Sequence, residues 1–240
     1  MNDIERLQAI VDGSDNIVFF GGAGVSTESG IPDFRSTDGL YHQKYDYPPE
    51  TILSAEFYYN HTEEFFRFYR DKLIVPNVKP NKAHTALARL EEAGKLKAVI
   101  TQNIDGLHQM AGSKRVYELH GSVLRNYCES CGKAYGVEKI AQSKGIPVCD
   151  ECGGRIKPDV VLYGEMLDDD CIRGAADAVS KADTLIIGGT SLVVYPAAGL
   201  INYFNGRHLV LINKSRTSAD SAAELVIHDP IGEVLGALRI

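Results

Sequence analysis

An acid, an aromatic side chain and a cation follow a glycine-rich turn near the start of the chain. The apolar run at 17–20 predicts a buried strand, and Gly22 and Gly24 come directly after it, where backbone must come close to a pyrophosphate. The sequence Gly-Ile-Pro at 30–32 then stops the helix that an ordinary dinucleotide-binding unit would have. The residues at 33–35, Asp-Phe-Arg, are thereby delivered near the bound nucleotide, which predicts chemistry there.

A second polar cluster follows the predicted strand that ends at Ile100. Gln102, Asn103 and Asp105 should lie at the carboxyl edge of the sheet, where open α/β folds bind ligands. Their amides and acid are suited to orienting a ribose and a carboxamide. His120 follows and precedes a glycine, and histidine is the natural base at neutral pH.

Two later turns, at 188–191 and 212–214, carry exposed amides and hydroxyls suited to a pyrophosphate and an adenosine ribose. The cofactor residues predicted in these turns are Gly189, Thr190, Ser191, Asn213 and Lys214.

Four cysteines form two close pairs. Cys128 and Cys131 are separated by two residues, as are Cys149 and Cys152, and 17 residues lie between the pairs. This spacing predicts one tetrahedral thiolate zinc site with no open position for water, hence a structural one. A redox dithiol pair is the alternative. A nucleic-acid-binding ribbon is disfavoured, because residues 121–158 hold six Lys or Arg against four Asp or Glu.

The composition favours a globular protein with one main core. The 240 residues carry a net charge of −7, so no overall positive field attracts nucleic acid or an anionic membrane. The charged, amphipathic first residues differ from a secretion signal, and no apolar run approaches a membrane span. We therefore expect a cytoplasmic protein.

Strand-like and helix-like runs alternate along the chain, which predicts an α/β fold: a Rossmann-like parallel sheet with helices on both faces, plus a small zinc-binding and helical domain. The predicted nucleotide-binding domain comprises 1–30, 83–121 and 159–240. A helical insertion with the cofactor loop occupies 31–82, and the zinc module occupies 122–158.

Taken in order, the segments GAGVSTESGIPDFR, TQNIDGLH, HGS, the two cysteine pairs, KPDVVLYGE and GTSLVVYP resemble the sirtuins, the NAD-dependent protein-lysine deacylases. The resemblance runs from about Gly21 to Asn213. It implies a cleft between the two domains, which NAD and an acyl-lysine peptide enter from opposite sides. The implied products are nicotinamide, deacylated lysine and O-acyl-ADP-ribose.

The resemblance also implies residue roles. His120 would be the general base, Asp105 and the Ile104 backbone would hold the nicotinamide carboxamide, and Asn103 would complete the catalytic group. Phe34 would shield the reacting centre from water. The NAD site would be lined by Ala23, Thr27, Phe34, Arg35, Gln102, Ile104, Asp105 and His120, with Ile231 on the adenosine side.

The segment at 157–165 looks like the one with which the family binds an extended acetylated peptide by strand addition. The implied substrate-binding residues are Val160, Val161, Tyr163, Gly164, Glu165 and Val193. Acetylated proteins or peptides are therefore the expected partners, bound by a monomer.

Sirtuins that remove succinyl or malonyl groups carry a Tyr-x-x-Arg pair, and the equivalent positions here are Phe66 and Tyr69. The missing cation predicts a preference for acetyl or longer apolar acyl groups. Two other functions stay open: a protein mono-ADP-ribosyltransferase using the same site, and a non-catalytic NAD-sensing module.

The remaining histidines are expected to be ordinary satisfied polar groups, with His84 at the start of a helix. They are His42, His61, His84, His108, His208 and His228.

Overall fold

The computed structural model describes residues 1–34, 39 and 46–240. Arg35 and His42 lie outside the described residues. The strands of the described chain are β1 (Ile17–Gly21), β2 (Leu96–Thr101), β3 (Val116–Glu118), β4 (Gly121–Cys128), β5 (Ala134–Tyr135), β6 (Ile156–Val160), β7 (Thr184–Gly188), β8 (His208–Ile212) and β9 (Leu225–Ile227). Its α-helices are α1 (Asp3–Asp12), α2 (Pro49–Ile52), α3 (Ala55–Asn60), α4 (Thr62–Lys72), α5 (Lys82–Glu92), α6 (Leu107–Met110), α7 (Val137–Ala141), α8 (Asp169–Lys181) and α9 (Ile231–Gly236). Short 3₁₀ helices cover Ala23–Val25, Thr27–Ser29 and Ala197–Tyr203.

Six of the described strands form one parallel sheet, in the spatial order β3, β2, β1, β7, β8, β9. Gly21 at the end of β1 lies opposite Thr101 of β2 and Gly188 of β7. Gly188 in turn lies opposite Ile212 of β8. The carboxyl ends of four neighbouring strands therefore lie along one edge, where such sheets bind ligands.

Helices cover both faces of this sheet, which explains why its central strands are apolar throughout. Phe19 of β1 packs on one face with Leu87 of α5 and with residues of α1 and α9. Phe20 packs on the opposite face with Val179 of α8 and with the 3₁₀ helix Ala197–Tyr203. The predicted Rossmann-like architecture with two helical layers is confirmed.

A smaller domain contains the antiparallel sheet of β5, β4 and β6 together with α2, α3, α4 and α7. Its core combines Phe57, Phe65 and Phe66 of the helical insertion with Cys128 and Ile156 of the cysteine module. These side chains form one buried cluster although they come from two separate insertions. The two insertions therefore stabilise each other, as expected for a cysteine module with too few apolar residues of its own.

Arg155 joins the two insertions by polar contacts as well. Its Nε lies 2.5 Å from Glu129 Oε2, its Nη1 donates to Thr62 Oγ1 at 3.0 Å, and its guanidinium stacks 4.7 Å from the centre of the Tyr58 ring. Tyr58 donates its hydroxyl proton to the same Glu129 carboxylate at 3.2 Å. These contacts connect α3 and α4 to the cysteine module.

Most element predictions agree with the structure. His84 is the third residue of α5, where its Nδ1 accepts the backbone N–H of the N-cap residue Asn81 at 3.2 Å. The chain after β7 forms a 3₁₀ helix from Ala197 to Tyr203. β4 and β6 extend across the predicted borders of the zinc module, and the borders themselves stay a prediction. Among the described helices, none has the length and apolar character needed to cross a bilayer.

The turn into β4 leads to a prediction about Gly121. This residue has a φ of +72°, and a Cβ there would lie 1.9 Å from the Asp159 carbonyl oxygen. Gly94 has a similar φ of +75° but nothing within 4 Å of such a Cβ. We expect Gly94→Ala to lower the free energy of unfolding by about 1 kcal/mol through backbone strain alone, and Gly121→Ala by more than about 3 kcal/mol because a clash is added.

Urea unfolding of the two variants and the parent protein measures this difference. Equal losses in the two variants would show that the β4–β6 contact at Asp159 relaxes without cost.

Candidate active site

The turns that follow β1 and β7 pack backbone against backbone. The Gly24 N–H donates to the Gly189 carbonyl at 2.8 Å, and a Cβ on Gly24 would lie 2.8 Å from the Gly189 Cα. A Cβ on Gly22 would lie 2.9 Å from the Thr190 Cβ. Gly189 itself has a φ of +59°. Glycine at these positions is therefore required by the contact between the two turns; their approach to a pyrophosphate stays a prediction.

Gln102 connects three loops at this edge. Its backbone N–H donates to the Gly21 carbonyl at 3.0 Å, and its side-chain amide donates to Thr190 Oγ1 at 3.1 Å. Its own carbonyl lies 3.0 Å from His120 Nδ1. Because a carbonyl only accepts, Nδ1 carries the proton in this contact. The neutral imidazole of His120 therefore has its lone pair on Nε2.

Burial lowers the pKa of His120, and the hydrogen bond to the Gln102 carbonyl opposes that effect. The lowered pKa keeps Nε2 unprotonated at neutral pH. An imidazole with a defined tautomer and a free lone pair has the form that a general base requires.

A chain of hydrogen bonds links Asn103 to Asp105. The Asn103 amide donates to Ser26 Oγ at 3.0 Å, and the Ser26 hydroxyl donates to Asp105 Oδ2 at 2.6 Å. Asp105 Oδ1 accepts the Leu107 N–H at 2.9 Å, at the start of α6. Both oxygens of Asp105 are thereby fixed in direction, and the carboxylate keeps lone pairs free for a ligand.

Sequence reasoning did not assign a role to Ser26. The residue stands between Val25 and Thr27 in the glycine-rich motif, so the only available signal was its position in that motif. Its side chain is 1% exposed and is the sole link between the amide and the carboxylate of the chain just described. It belongs to the site as a residue that orients both.

The other predicted nicotinamide-side residues surround this group. Ala23 and Thr27 lie in the two 3₁₀ helices after β1, and the Thr27 hydroxyl donates to the Gly24 carbonyl at 3.0 Å. Phe34 and Ile104 are half-buried against the core of the small domain. Phe34 and Ile104 therefore contact the small domain, whereas Ala23 and Thr27 follow a strand of the large sheet.

The predicted adenosine-side residues occupy the turns after β7 and β8. Ser191 and Lys214 are exposed, and the Asn213 amide donates to the Ser215 carbonyl at 2.7 Å. Ile231 is 4% exposed and packs into the core under β1 and β7. Its contact with a cofactor stays a prediction, and its side chain has a packing role in this structure.

The predicted peptide-binding segment begins within β6 and continues beyond Val160 as a loop that hydrogen bonds hold in place. The Val161 N–H donates to the His120 carbonyl at 3.0 Å, the Tyr163 N–H donates to the Leu53 carbonyl at 2.9 Å, and Glu165 Oε2 accepts the Leu162 N–H at 2.8 Å. Within the described residues, the backbone of Gly164 makes no hydrogen bond. The Gly164 backbone is therefore available to a partner, whereas its neighbours are held by the protein itself.

Val160 is 7% exposed and belongs to the small-domain core, whereas Val193 is 56% exposed. Like Gly164, Val193 has no backbone hydrogen bond among the described residues. Gly164, in the segment that resembles the family's peptide-binding one, and Val193, an implied substrate-binding residue, are thus both exposed and have unpaired backbone.

The four paired cysteines converge as predicted. Their sulfur atoms all lie within 4.8 Å of one another, with Sγ–Sγ distances of 3.4 Å for Cys128–Cys152 and 3.6 Å for Cys131–Cys149, and none forms a disulfide. Four thiolates at these separations suit tetrahedral zinc, in which each Zn–S bond is about 2.3 Å. The cluster fits a closed structural zinc site.

The expectation that the remaining histidines are satisfied polar groups is only partly correct. His208 contacts Glu224 at 2.7 Å, and His228 Nδ1 contacts the Asn213 carbonyl at 2.7 Å. For His108 the expectation is wrong, because neither ring nitrogen has a hydrogen-bond partner in the described part of the chain. Helix α6 buries this ring against Phe19 and His84, and no polar group of the described chain, the His84 ring included, forms a hydrogen bond with it.

Comparison with known proteins places these features in a family. The sequence profile of the Sir2 family matches residues 22–196. A Clostridium perfringens protein named NAD-dependent protein deacetylase is 68% identical over 236 residues, which cover 97% of each chain. A Cutibacterium acnes protein of the same name is 53% identical, covering 98% of this chain and 97% of that one.

Solved structures agree. A Sir2 structure with deacetylated p53 peptide and 3'-O-acetyl ADP ribose has a TM-score of 0.90 and 42% identity, covering 98% of this chain and 96% of that one. A Sir2–p53 peptide–NAD⁺ structure has a TM-score of 0.86 and 44% identity, with the same coverage of 98% and 96%. These matches confirm the family predicted from the motifs: the chain belongs to the Sir2 family.

Proposed function

We propose that this protein is an NAD-dependent protein-lysine deacetylase. It transfers the acetyl group of acetyl-lysine to ADP-ribose and releases nicotinamide and O-acetyl-ADP-ribose. The curated relatives named above carry this activity in their names, and related Sir2 structures hold NAD⁺, peptide or acetyl-ADP-ribose.

The observation that carries the proposal is the position of His120 relative to the Asn103–Ser26–Asp105 chain. Gln102 and Asn103 are consecutive residues, so the carbonyl that orients His120 is directly followed by the amide that orients Ser26. A base and a fixed carboxylate are thus held on one short loop at the ligand-binding edge. An NAD sensor would need no such base.

NAD is a substrate of this reaction and supplies the ADP-ribose that receives the acetyl group. Asp105 and the Ile104 backbone are suited to holding the nicotinamide carboxamide, since a carboxylate accepts from the amide N–H and a backbone N–H donates to its oxygen. Fixed orientation of the nicotinamide and ribose brings the bond to be broken into a reactive geometry. His120 Nε2 then takes the proton from a ribose hydroxyl.

The peptide is proposed to bind between the loop at 161–165 and the loop at 191–194 by pairing with the backbone at Gly164 and Val193. Gly164 and Val193 provide unpaired backbone for this purpose. Pairing through backbone gives affinity with little demand on peptide sequence. The salt bridge between Lys157 and Glu165, 3.1 Å long, keeps the first loop in place.

Phe66 and Tyr69 are both 0% exposed in the small-domain core, which Phe34 and Ile104 also contact. Both side chains are therefore enclosed by that core in this structure, and the preference for an acetyl or longer apolar acyl group stays a prediction. The expectations of a monomer, of a cytoplasmic location and of no nucleic-acid partner stay predictions.

The proposal predicts NAD-dependent release of nicotinamide and deacetylated peptide in equal amounts from an acetyl-lysine peptide, measured by mass spectrometry. His120→Ala should lower the rate by about 10²- to 10⁴-fold, because it removes the base. His208→Ala, which alters a histidine outside the site, should leave the rate unchanged.

Other outcomes contradict the proposal in distinct ways. Transfer of label from the adenylate half of NAD onto protein, without deacetylation, would indicate an ADP-ribosyltransferase. NAD binding without nicotinamide release would indicate a sensor.

The cysteine cluster predicts one bound zinc per chain. Cys131→Ser should abolish zinc binding and lower the Tm by about 10 °C or more, since the loss of several kcal/mol lowers Tm by about 2–4 °C per kcal/mol in a chain of this size. Cys171→Ser is the control, because Cys171 lies outside the cluster. Native mass spectrometry and thermal unfolding measure both effects. A metal-free native protein whose cysteine pairs oxidise reversibly would support the redox alternative.

The expected preference for apolar acyl groups predicts that a cation introduced at position 69 changes which acyl group is removed. Phe66→Tyr combined with Tyr69→Arg should raise the ratio of kcat/KM for succinyl-lysine over acetyl-lysine by about tenfold or more, because the guanidinium can pair with the acyl carboxylate. Phe66→Tyr with Tyr69→Gln provides the matched control without the charge. Equal ratios in the two double variants would show that these positions do not face the acyl group.

A further inference from the structure

His84 and His108 form a buried pair that the proposed reaction does not use. They are 0% and 1% exposed, and their ring centroids are 4.7 Å apart with planes inclined by 58°. Buried polar groups in proteins are nearly always hydrogen-bonded. A pair of adjacent buried imidazoles with unsatisfied nitrogens therefore calls for an explanation.

A hydrogen bond defines the tautomer of the His84 ring. The Asn81 N–H donates to His84 Nδ1, so the neutral His84 ring carries its proton on Nε2. This Nε2 and both nitrogens of His108 have no partner within the described chain. Burial lowers the pKa of His84 to about 4 and that of His108 to about 3, and the neighbouring His84 lowers the latter further. Both rings are neutral at physiological pH.

Each ring is attached to one side of the nicotinamide end of the site. His84 is joined through Asn81 to the first turn, because the Asn81 amide donates to the Val25 carbonyl at 2.8 Å. His108 is the second residue of α6, whose first N–H is held by Asp105. Ser26 directly follows Val25, and its hydroxyl donates to Asp105. These contacts therefore form a closed circuit.

We propose that His84 and His108 are positioning residues: the contact between their neutral rings sets the distance between the turn that carries Ser26 and the turn that carries Asp105. The inference rests on the proposed function, because it assigns these residues to the reaction through Asp105. Without the His108 ring, α6 can settle toward α5 and draw the carboxylate out of line with the nicotinamide.

The charges around the pair are consistent with a neutral spacer. Asp105 is the charged group that acts on His84, and it opposes the effect of burial on the pKa of that ring. The cations of α5 point elsewhere: Lys82 pairs with Glu233, and Arg89 donates to the Ile240 carbonyl. Protonation of either ring would place a cation against its partner and attract Asp105 away from Ser26.

The test compares the affinities of two small molecules. ADP-ribose contains the part of NAD that the other turns bind, whereas free nicotinamide probes only the Asp105 end. We expect His108→Ala to weaken nicotinamide binding and lower kcat by about ten- to a hundredfold, and to leave the Kd for ADP-ribose within about twofold. His108→Phe keeps a ring in place and should restore nicotinamide affinity to near that of the parent.

Leu90→Ala is the control for general loss of stability, since Leu90 is fully buried on the same helix as His84 and belongs to the core cluster under the sheet. Leu90→Ala should lower the Tm, but it should not weaken nicotinamide binding selectively over ADP-ribose binding. A similar loss of ADP-ribose and nicotinamide affinity in His108→Ala, or a His108→Phe variant as defective as His108→Ala, would overturn the inference.

A double-mutant cycle tests the circuit itself. Once Ser26→Ala has opened it, adding His108→Ala should cost less than about twofold further in nicotinamide affinity; full additivity would contradict the circuit. These are binding measurements, so they are independent of turnover. Failure of the parent protein to deacetylate any peptide, despite binding both molecules, would count against the proposed function alone.

Discussion

The close packing of the turns after β1 and β7 is the constraint on which the rest of the site depends. At Gly24 and Gly189 the two backbones are so near that any side chain would collide with the opposite turn. This contact brings Thr190 within hydrogen-bond distance of Gln102, which in turn orients His120. The orientation of His120, which follows β3, thus depends on a backbone contact between the turns after β1 and β7.

The smaller domain is stabilised by packing between two separate insertions. Its two parts come from separate insertions, and the cysteine module contains too little apolar surface for a core of its own. Aromatic side chains of α3 and α4 supply that surface, and Arg155 and the cysteine cluster hold the second part against it. Phe34 and Ile104 also pack against this core, so the small domain contacts two of the residues predicted to line the NAD site.

Much of the fold could be predicted, because its signals are local. The run at 17–20 is apolar at every position, as expected for a strand covered on both faces, and Asn81 and His84 have the spacing of a reciprocal helix cap. The partners of buried side chains were harder to predict. His108 resembles any other polar residue in the sequence, and its lack of a partner arises only when α6 is folded against α5 and β1.

The sequence by itself determined the family and the ligand types of the cysteine cluster, and it predicted His120 as the base, because these depend on residue types at short spacings. Only the tertiary structure decided that Ser26 joins Asn103 to Asp105, that Gly22 and Gly24 face another turn, and that Ile231 packs into the core. These contacts join residues that are tens to hundreds of positions apart. The geometry of a hydrogen bond or a buried contact is set by distances of a few ångströms in space, and these follow from the assembled sheet.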